Sequence, residues 1–409
     1  MPFAERQFIT MKKIAIVNNG MGEVSYGILL GSVKRALELR ECELVGENAD
    51  YTVTVSVSGE YKSDRYTVRG RTDGATVVAA NDCAVHAAVG RLLRKIKFDG
   101  KGRFVPFAGE IDHTPAKSIR GMYFATHFYN FYHVAPVEKV YEVIEDLALR
   151  GCNCIETWFD MHHYNSTKEE EAQEIIARLR AIIKYTNDLG MMTSMTMNSN
   201  EAFANSPEHL RARWDINGRY FAEPHGHYHV ELCPSKEGGI EKIIEYRREV
   251  FECFADLKID YVVYWPYDQG GCSCPECQPW GSNGFLKLFP HYKALVNEVL
   301  PNTKVVVSTW YFDRFVEGEW AEFYDKLNDP MFDDVEYIMA FFHNGNLPEC
   351  IKEKGIPEGR EFIDFPEISM QYCSPWGGYG ASTLAGFLDR TNKACESLYQ
   401  GGLDRKSVV

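Results

Sequence analysis

Acidic, aromatic, histidine and asparagine residues follow several short apolar runs in this sequence. The runs have the length and β-branched content of buried parallel strands, and the polar or aromatic residues come where each run ends. In chain order these residues are His127, Trp158, Asp160, Asn198, Trp265, Tyr267, Asp268, Trp310, His343, Glu367 and Trp376. Residues at the carboxyl ends of parallel barrel strands meet at one rim. The spacing therefore predicts a single site built from several strands.

Asp268 and Glu367 are the candidate catalytic pair. Hydrolysis of a glycosidic bond needs two carboxyl groups, one protonated as the acid and one ionised as the base or nucleophile. Asp268 follows the fourth predicted barrel strand and Glu367 the seventh, so we expect them on opposite sides of the rim. Each also has a structural interpretation, Asp268 as a turn cap before Gly270 and Glu367 as a helix-capping or ion-pairing residue. Asp160 is a third candidate, equally suited to bind a sugar hydroxyl.

Tryptophan is concentrated at the same predicted rim. Four of the seven tryptophans fall at this rim, namely Trp158, Trp265 and Trp310 at strand ends and Trp376 just beyond the last strand. Flat aromatic faces suit the apolar faces of sugar rings, although the same side chains could instead cap the barrel core. The hydrogen-bonding residues predicted beside them are His127, Asn198, Tyr267 and His343. Together they favour a cleft that binds an oligosaccharide.

The segment Cys272-Ser-Cys274-Pro-Glu-Cys277 has the spacing with which two thiolates chelate one ion. Three thiolates need a fourth ligand, and Cys233 lies in the preceding connection between strands. Adjacent barrel loops are neighbours in space, so Cys233 can complete a structural zinc site. The alternative is a set of unligated thiols in a tight loop. The glycosidase chemistry itself requires no cofactor.

Seven strands alternate with amphipathic helices from residue 118 onward, which predicts parallel βαβ units. The predicted strands cover residues 119–126, 152–159, 191–197, 259–266, 304–310, 336–342 and 362–370. The clearest helices cover residues 137–149, 172–189 and 289–300. Seven units in about 280 residues indicate a (β/α)8-type barrel whose last strand is missing, because a full barrel takes about 250 residues plus insertions.

The residues before this barrel predict a separate small α/β domain. Strand-like runs at 53–57, 66–68 and 75–80 precede a periodic helix at 83–97, with Asn81 or Asp82 as its N-cap. We therefore expect an N-terminal domain over residues 11–114 and an incomplete barrel over residues 115–403. Residues 404–409 match the peptide that a common sequencing adapter encodes, which predicts a non-native tail.

Composition limits the classes of partner. The chain has 409 residues, 45% of them hydrophobic, and a formal net charge of −14. Such a charge repels phosphate backbones and anionic lipid, so neither nucleic acid nor a membrane surface is expected as a partner. The first residues lack the apolar segment of a secretion signal, and the sequence predicts a cytoplasmic protein whose cysteines are reduced. Nothing in the composition predicts the oligomeric state.

Several segments resemble the barrel glycosidases that carry an N-terminal zincin-like α/β domain, the β-N-acetylhexosaminidases and their α-glucuronidase relatives. The resembling segments are residues 117–121, residues 147–158 around Gly151-Cys152-Asn153, and residues 268–280. The resemblance implies an Asp-Glu pair after strand four, whereas this sequence has Asp268-Gln269, and glutamine cannot donate a proton. The α-glucuronidase arrangement, with an acid after strand four and a base further round the barrel, is closer to Asp268 and Glu367.

These patterns together predict a glycoside hydrolase that cleaves oligosaccharides by carboxylate acid–base catalysis. One alternative is a non-catalytic carbohydrate-binding barrel, which Gln269 favours. A second alternative is a metal-dependent hydrolase that uses the cysteines or the segment His225-x-His227-x-His229, whose alternating histidines resemble a set of metal ligands.

Overall fold

The computed structural model describes residues 12–38, 40, 42–98, 104–127, 131–213, 230–267, 271–340 and 348–364. The strands are β1 Lys12–Asn19, β2 Cys42–Leu44, β3 Tyr51–Val57, β4 Tyr66–Gly70, β5 Gly74–Ala79, β6 Lys97–Phe98, β7 Phe104–Val105, β8 Gly109–His113, β9 Gly121–Tyr123, β10 Cys154–Trp158, β11 Met192–Asn198, β12 Tyr261–Trp265, β13 Lys304–Ser308, β14 Tyr337–Ala340 and β15 Glu361–Asp364.

The helices are α1 Glu23–Glu38, α2 Asp82–Lys95, α3 Phe131–Val134, α4 Val137–Arg150, α5 Glu170–Asp188, α6 Gly239–Glu252, α7 Gly284–Val299, α8 Glu319–Lys326 and α9 Glu349–Lys354. Two short 3₁₀ turns cover Glu208–Leu210 and Pro330–Phe332. The chain divides into two compact units. Among the described residues, no helix has the length and hydropathy needed to cross a membrane.

The first unit is built on a six-stranded mixed sheet with the order β2-β1-β3-β5-β4-β8. Strands β2, β1, β3 and β5 are parallel, and β4 is antiparallel to both of its neighbours. In β3 the side chains of Tyr51, Val53 and Val55 are buried and alternate with less buried threonines, as one core-facing side of a strand requires. The predicted strands of this region are confirmed.

Helix α2 confirms the predicted periodic helix and its cap. The side chain of Asn81 accepts a hydrogen bond from the backbone N–H of Ala84 at 2.9 Å, which satisfies one of the unpaired donors at the helix start. Helix α1 was not predicted. Its sequence includes Gly27 and Gly31, and glycine lowers helix propensity by about 1 kcal/mol relative to alanine.

The first unit also contains residues 138–154 and 185–191. Glu145 of α4 is buried there and accepts hydrogen bonds from Ser32 Oγ and Tyr185 Oη, each at 2.6 Å. Arg35 forms an ion pair with the same carboxylate. A buried carboxylate is stable only with such partners, so this cluster ties α4 to α1.

Two segments that resemble the barrel glycosidases form one joint within the first unit. Arg120 and Asn153 donate to the Asp64 carboxylate at 2.7 and 2.9 Å, and the backbone N–H of Arg120 donates to Asn153 Oδ1 at 2.8 Å. Burial acts to raise the pKa of Asp64, but hydrogen bonds from Arg120, Asn81 and Asn153 outweigh it and lower that pKa. Arg120 and Asn153 therefore have a structural role.

The second unit is built on a seven-stranded sheet with the order β15-β14-β13-β12-β11-β10-β9. The pairs from β11 through β15 are parallel, and the sheet curls as part of a (β/α)8-type barrel does. Each of the seven predicted strands overlaps an observed strand, and residues 341–342 and 365–370 of the last two predicted strands lie outside the described part of the chain. Large apolar side chains from the strands and from helices α5, α6, α7 and α8 form one continuous core in this unit.

In the first unit, helices α2 and α4 approach each other closely at Gly90 and Leu149. A methyl group at Gly90 would overlap the backbone carbonyl group of Leu149. We expect Gly90→Ala to lower the free energy of unfolding by about 2–4 kcal/mol, because neither backbone can move without repacking the core. Urea denaturation followed by circular dichroism measures this change.

Gly31→Ala in α1 is the matched control, since the nearest atom to its new methyl group would be Arg35 Nη1 at 3.7 Å. We expect this variant to be as stable as the parent or more stable by up to about 1 kcal/mol. Equal stabilities for the two alanine variants would contradict the close helix contact.

Candidate active site

A continuous run of aromatic rings lies at the carboxyl ends of the strands in the second unit. The ring centroids of His127 and Trp158 are 4.6 Å apart in a stacked arrangement, and those of Trp158 and Trp265 are 5.6 Å apart, edge to face. Trp265 and Trp310 follow at 5.3 Å, and Trp310 stacks on Tyr311 at 4.8 Å. We call these five residues the aromatic wall. It brings together four of the predicted binding residues.

Strand alternation turns Trp265 and Asn198 toward the interior of the curled sheet. Met197 faces the helices, because its sulfur accepts a hydrogen bond from Arg247 of α6 at 2.8 Å. Asn198, the next residue, therefore faces the opposite side. The strand register pairs Asn198 with Trp265, so both side chains share the interior face. The amide of Asn198 is fully buried and has no hydrogen-bond partner among the residues that the structure describes.

Asp160 is fixed against the aromatic wall. The indole N–H of Trp158 donates to Asp160 Oδ1 at 2.6 Å, and His163 lies 3.7 Å from the other carboxylate oxygen. Thr126 Oγ1 in turn bonds both the backbone carbonyl and the N–H of Trp158, at 2.6 and 3.0 Å. The predicted binding residues Trp158 and Asp160 thus form one hydrogen-bonded group.

Tyr267 is held by a buried carboxylate. Its hydroxyl donates to Glu319 at 2.7 Å, and Glu319 also accepts the backbone N–H groups of Gly281 and Asp313. Burial raises the pKa of Glu319 to about 7. Tyr311 and Asp313 adopt left-handed backbone conformations, with φ of 60° and 62°, which non-glycine residues rarely adopt. Glu319 therefore stabilises a strained loop after β13, and this contact occupies the hydroxyl of Tyr267.

Glu156 is a buried carboxyl that the sequence did not reveal. It precedes Trp158 by two residues in β10, so it lies on the same face one layer deeper, and Thr196 of β11 donates to it. Burial raises the pKa of Glu156 to about 7, with a smaller opposing effect from the Thr196 hydrogen bond. A glutamate within an otherwise apolar strand resembles a surface residue in sequence, so only the strand pairing identifies its location.

Glu201 is a second buried carboxylate that the sequence did not predict. This fully buried carboxylate accepts the backbone N–H groups of Met161 and His162 at 2.9 and 3.2 Å, and lies 3.0 Å from the His162 ring. It therefore fixes the loop that follows β10. Asp160, His162 and His163 lie close enough together to hold a cation, but Glu201 already bonds the ring of His162.

The four predicted cysteine ligands lie together in the second unit. The ligand atoms of Cys233, Cys272, Cys274 and Cys277 are all within 4.8 Å of one another, and all four side chains are buried. Cys233 therefore lies beside the other three cysteines, as the proximity of adjacent barrel loops predicted. The residues that lie outside the described part of the chain are Asp268, His343, Glu367, Trp376 and the histidines at 225, 227 and 229. Their roles stay predictions.

The burial of Glu156 predicts a specific pH dependence of stability. Its folded-state pKa is above the ordinary value, so its contribution to stability is complete below about pH 4.5 and is lost as the pH rises through 7. Glutamine cannot ionise. Between pH 5 and 8 we expect the Glu156→Gln variant to gain roughly 2–3 kcal/mol in free energy of unfolding relative to the parent.

Chemical denaturation across this pH range measures the difference. The control is Glu353→Gln, which changes an exposed glutamate of α9 and should follow the parent at every pH. A difference between Glu156→Gln and the parent that does not change with pH would contradict the buried, protonated state of Glu156.

The fold of this chain is similar to that of solved glycoside hydrolases. No protein-family model and no curated protein matches the sequence. A glycoside hydrolase family 20 β-N-acetylglucosaminidase superposes with a TM-score of 0.62 at 14% identity, over 96% of this chain and 80% of its own. An inactive mutant of the exo-β-N-acetylglucosaminidase of Vibrio harveyi superposes with a TM-score of 0.59 at 13% identity, over 94% of this chain and 62% of its own.

The family 20 β-N-acetylhexosaminidase of Streptomyces coelicolor A3(2) has a TM-score of 0.56 at 15% identity, over 81% of this chain and 70% of its own. This chain spans less than two thirds of the length of the Vibrio harveyi enzyme. The predicted likeness to hexosaminidases is confirmed at the level of fold, whereas the zincin-like domain and the α-glucuronidase relationship stay predictions. The chain has the fold of the family 20 β-N-acetylhexosaminidases.

Proposed function

We propose that this chain is a glycoside hydrolase that cleaves O-glycosidic bonds of oligosaccharides at the carboxyl rim of its curled sheet. The observation that carries the proposal is the aromatic wall with Asp160 and Asn198 beside it. The fold shared with family 20 glycosidases supports the same class of reaction, since these enzymes have the same curled sheet.

The chemistry of the wall suits a sugar better than a purely apolar ligand. Aromatic faces bind the C–H face of a pyranose, while carboxylate and amide groups bind its hydroxyl groups. Asp160 and Asn198 supply these polar groups beside Trp158 and Trp265, and the half-buried ring of His127 ends the wall. The buried amide of Asn198 would gain hydrogen bonds from a bound hydroxyl, which offsets the cost of its burial.

Asp268 is the proposed proton donor, and Glu367 the proposed base or nucleophile. Asp268 directly follows Tyr267, whose hydroxyl is anchored by Glu319. A donor at this position would protonate the oxygen of the leaving sugar while the second carboxylate activates water or attacks the anomeric carbon. Gln269 occupies the place of the acid glutamate in hexosaminidases, so we assign proton donation to Asp268.

The solved structures that share this fold indicate which sugars to test first. The Vibrio harveyi enzyme has been solved in complex with N-acetylglucosamine. We therefore propose N-acetylhexosaminides as the first substrates to test and glucuronides as the second, because the arrangement of Asp268 and Glu367 resembles that of α-glucuronidases.

Hydrolysis of a panel of chromogenic glycosides tests the proposal. The panel contains both anomers of N-acetylglucosaminides, glucosides and glucuronides, and each is assayed with the parent protein, Asp268→Asn and Glu367→Gln. We expect each substitution to lower kcat by 10²-fold or more, about 3 kcal/mol in transition-state stabilisation, since a carboxamide neither donates nor accepts the proton.

Glu353→Gln, which neutralises an exposed carboxylate on α9, should leave kcat unchanged. Full turnover in both Asp268→Asn and Glu367→Gln would contradict the assigned roles. Absence of turnover across the panel, together with measurable binding of the same sugars, would instead identify a carbohydrate-binding barrel that has lost its acid, as Gln269 suggests.

A further inference from the structure

The four buried cysteines of the second unit form a compact group at one end of the sheet. The sulfur of Cys233 lies 3.6 Å from that of Cys274 and 3.7 Å from that of Cys277. A tetrahedral zinc site with Zn–S bonds of about 2.3 Å has sulfur atoms separated by about 3.8 Å. A disulfide would need a sulfur separation of about 2.05 Å. The spacing therefore fits four ligands around one ion.

We propose that Cys233, Cys272, Cys274 and Cys277 bind one zinc ion in a structural site. Four thiolates fill a tetrahedral coordination sphere and leave no position for water or substrate, so the site is closed to catalysis. Tetrahedral sets of four thiolates hold zinc or iron, and zinc is the ion typical of closed structural sites. The inference does not depend on the proposed glycosidase activity.

The backbone around the cysteines has the shape of a metal-binding turn. The N–H groups of Cys277 and Gln278 both donate to the carbonyl of Cys274, at 3.0 and 3.1 Å. This turn brings the side chains of Cys274 and Cys277 to the same side, as a Cys-x-x-Cys chelate requires. A methyl group on Gly284 would lie 2.9 Å from Cys277 Cβ, so glycine is needed where α7 begins.

Hydrogen-bonding groups surround the thiols and would support their negative charge. Zinc with four thiolates has a net charge of −2, which needs nearby donors. Ser235 Oγ lies 3.2 Å from the sulfur of Cys277, and Lys287 Nζ donates to Ser235 Oγ at 3.1 Å. The start of α7 also lies beside the group, where the backbone N–H of Gly284 donates to the carbonyl of Cys277 at 3.0 Å.

The ion would join two loops that border the candidate active site. Cys233 lies between β11 and α6, whereas the other three cysteines lie between β12 and α7. The amide of Asn200 spans the same two loops, donating to the carbonyls of Leu232 and Gly271 at 2.8 and 2.9 Å. A metal at the cysteines would therefore reinforce the link that Asn200 makes between these two loops.

The first test measures the metal content of the full chain by inductively coupled plasma mass spectrometry. The protein is purified without chelator. We expect one zinc per chain in the parent. Cys274→Ser and Cys277→Ser should each lower zinc content at least several-fold, since three thiolates hold zinc less tightly than four. Cys350→Ser is the matched control, because Cys350 is as buried as Cys274 but lies on α9 outside the group.

The second test separates metal binding from folding. Zinc is removed from the parent with a strong chelator, and Zn²⁺ alone is then added back while the melting temperature is measured. We expect the melting temperature to fall on removal and to return at one equivalent of Zn²⁺ in the parent and in Cys350→Ser, but not in Cys274→Ser. Co²⁺ in place of zinc should give the visible absorption of a tetrahedral thiolate site.

Several results would overturn the inference. These are a parent protein without bound metal whose four thiols react together with a thiol reagent under native conditions, an iron content of one per chain, or zinc retained in full by both cysteine variants. A melting temperature that is unchanged by chelator and by added Zn²⁺ would overturn the structural role.

Discussion

The hydrogen-bond register between β11 and β12 is the constraint on which the proposed site depends. It pairs Asn198 with Trp265 and turns both toward the interior of the sheet. A slip of one residue would turn Met197 toward the interior of the sheet and Asn198 toward the helices. The fully buried Arg247 prevents this slip, because it donates to the sulfur of Met197 and to the carbonyl of Asn198. Losing these partners would leave a buried guanidinium unsatisfied.

Buried polar groups fix the loops at the rim. Glu319 holds the loops after β12 and β13, Glu201 holds the loop after β10, and Asn200 joins the loops that carry the cysteines. Each of these groups makes two or more hydrogen bonds to backbone atoms, and such bonds determine backbone position more narrowly than apolar contacts do. The aromatic wall can therefore be rigid although it lies on residues at strand ends, which is the arrangement that a preorganised binding site requires.

The sequence predicts the strands well, because β-branched runs between turn residues have few other interpretations. The sequence predicts helix boundaries less accurately. Helix α7 begins at Gly284 although the predicted helix began at residue 289, since Pro290 lies inside the helix rather than at its start. The cysteine group could be predicted because the connections of successive βα units are adjacent. Glu156 and Glu201 could not, because their burial depends on pairing between distant segments, and sequence patterns record only local periodicity.

The most direct test of the central claim is a titration of the protein, labelled with ¹⁵N at its tryptophan indoles, with N-acetylglucosamine and separately with glucuronic acid. Single tryptophan-to-phenylalanine substitutions assign each indole resonance. We predict that one of these sugars shifts the indole signals of Trp158, Trp265 and Trp310, while Trp280 and Trp320, which lie outside the aromatic wall, do not respond. Shifts confined to Trp280 and Trp320, or a sugar hydrolysed by the protein with no change at the aromatic wall, would contradict the account.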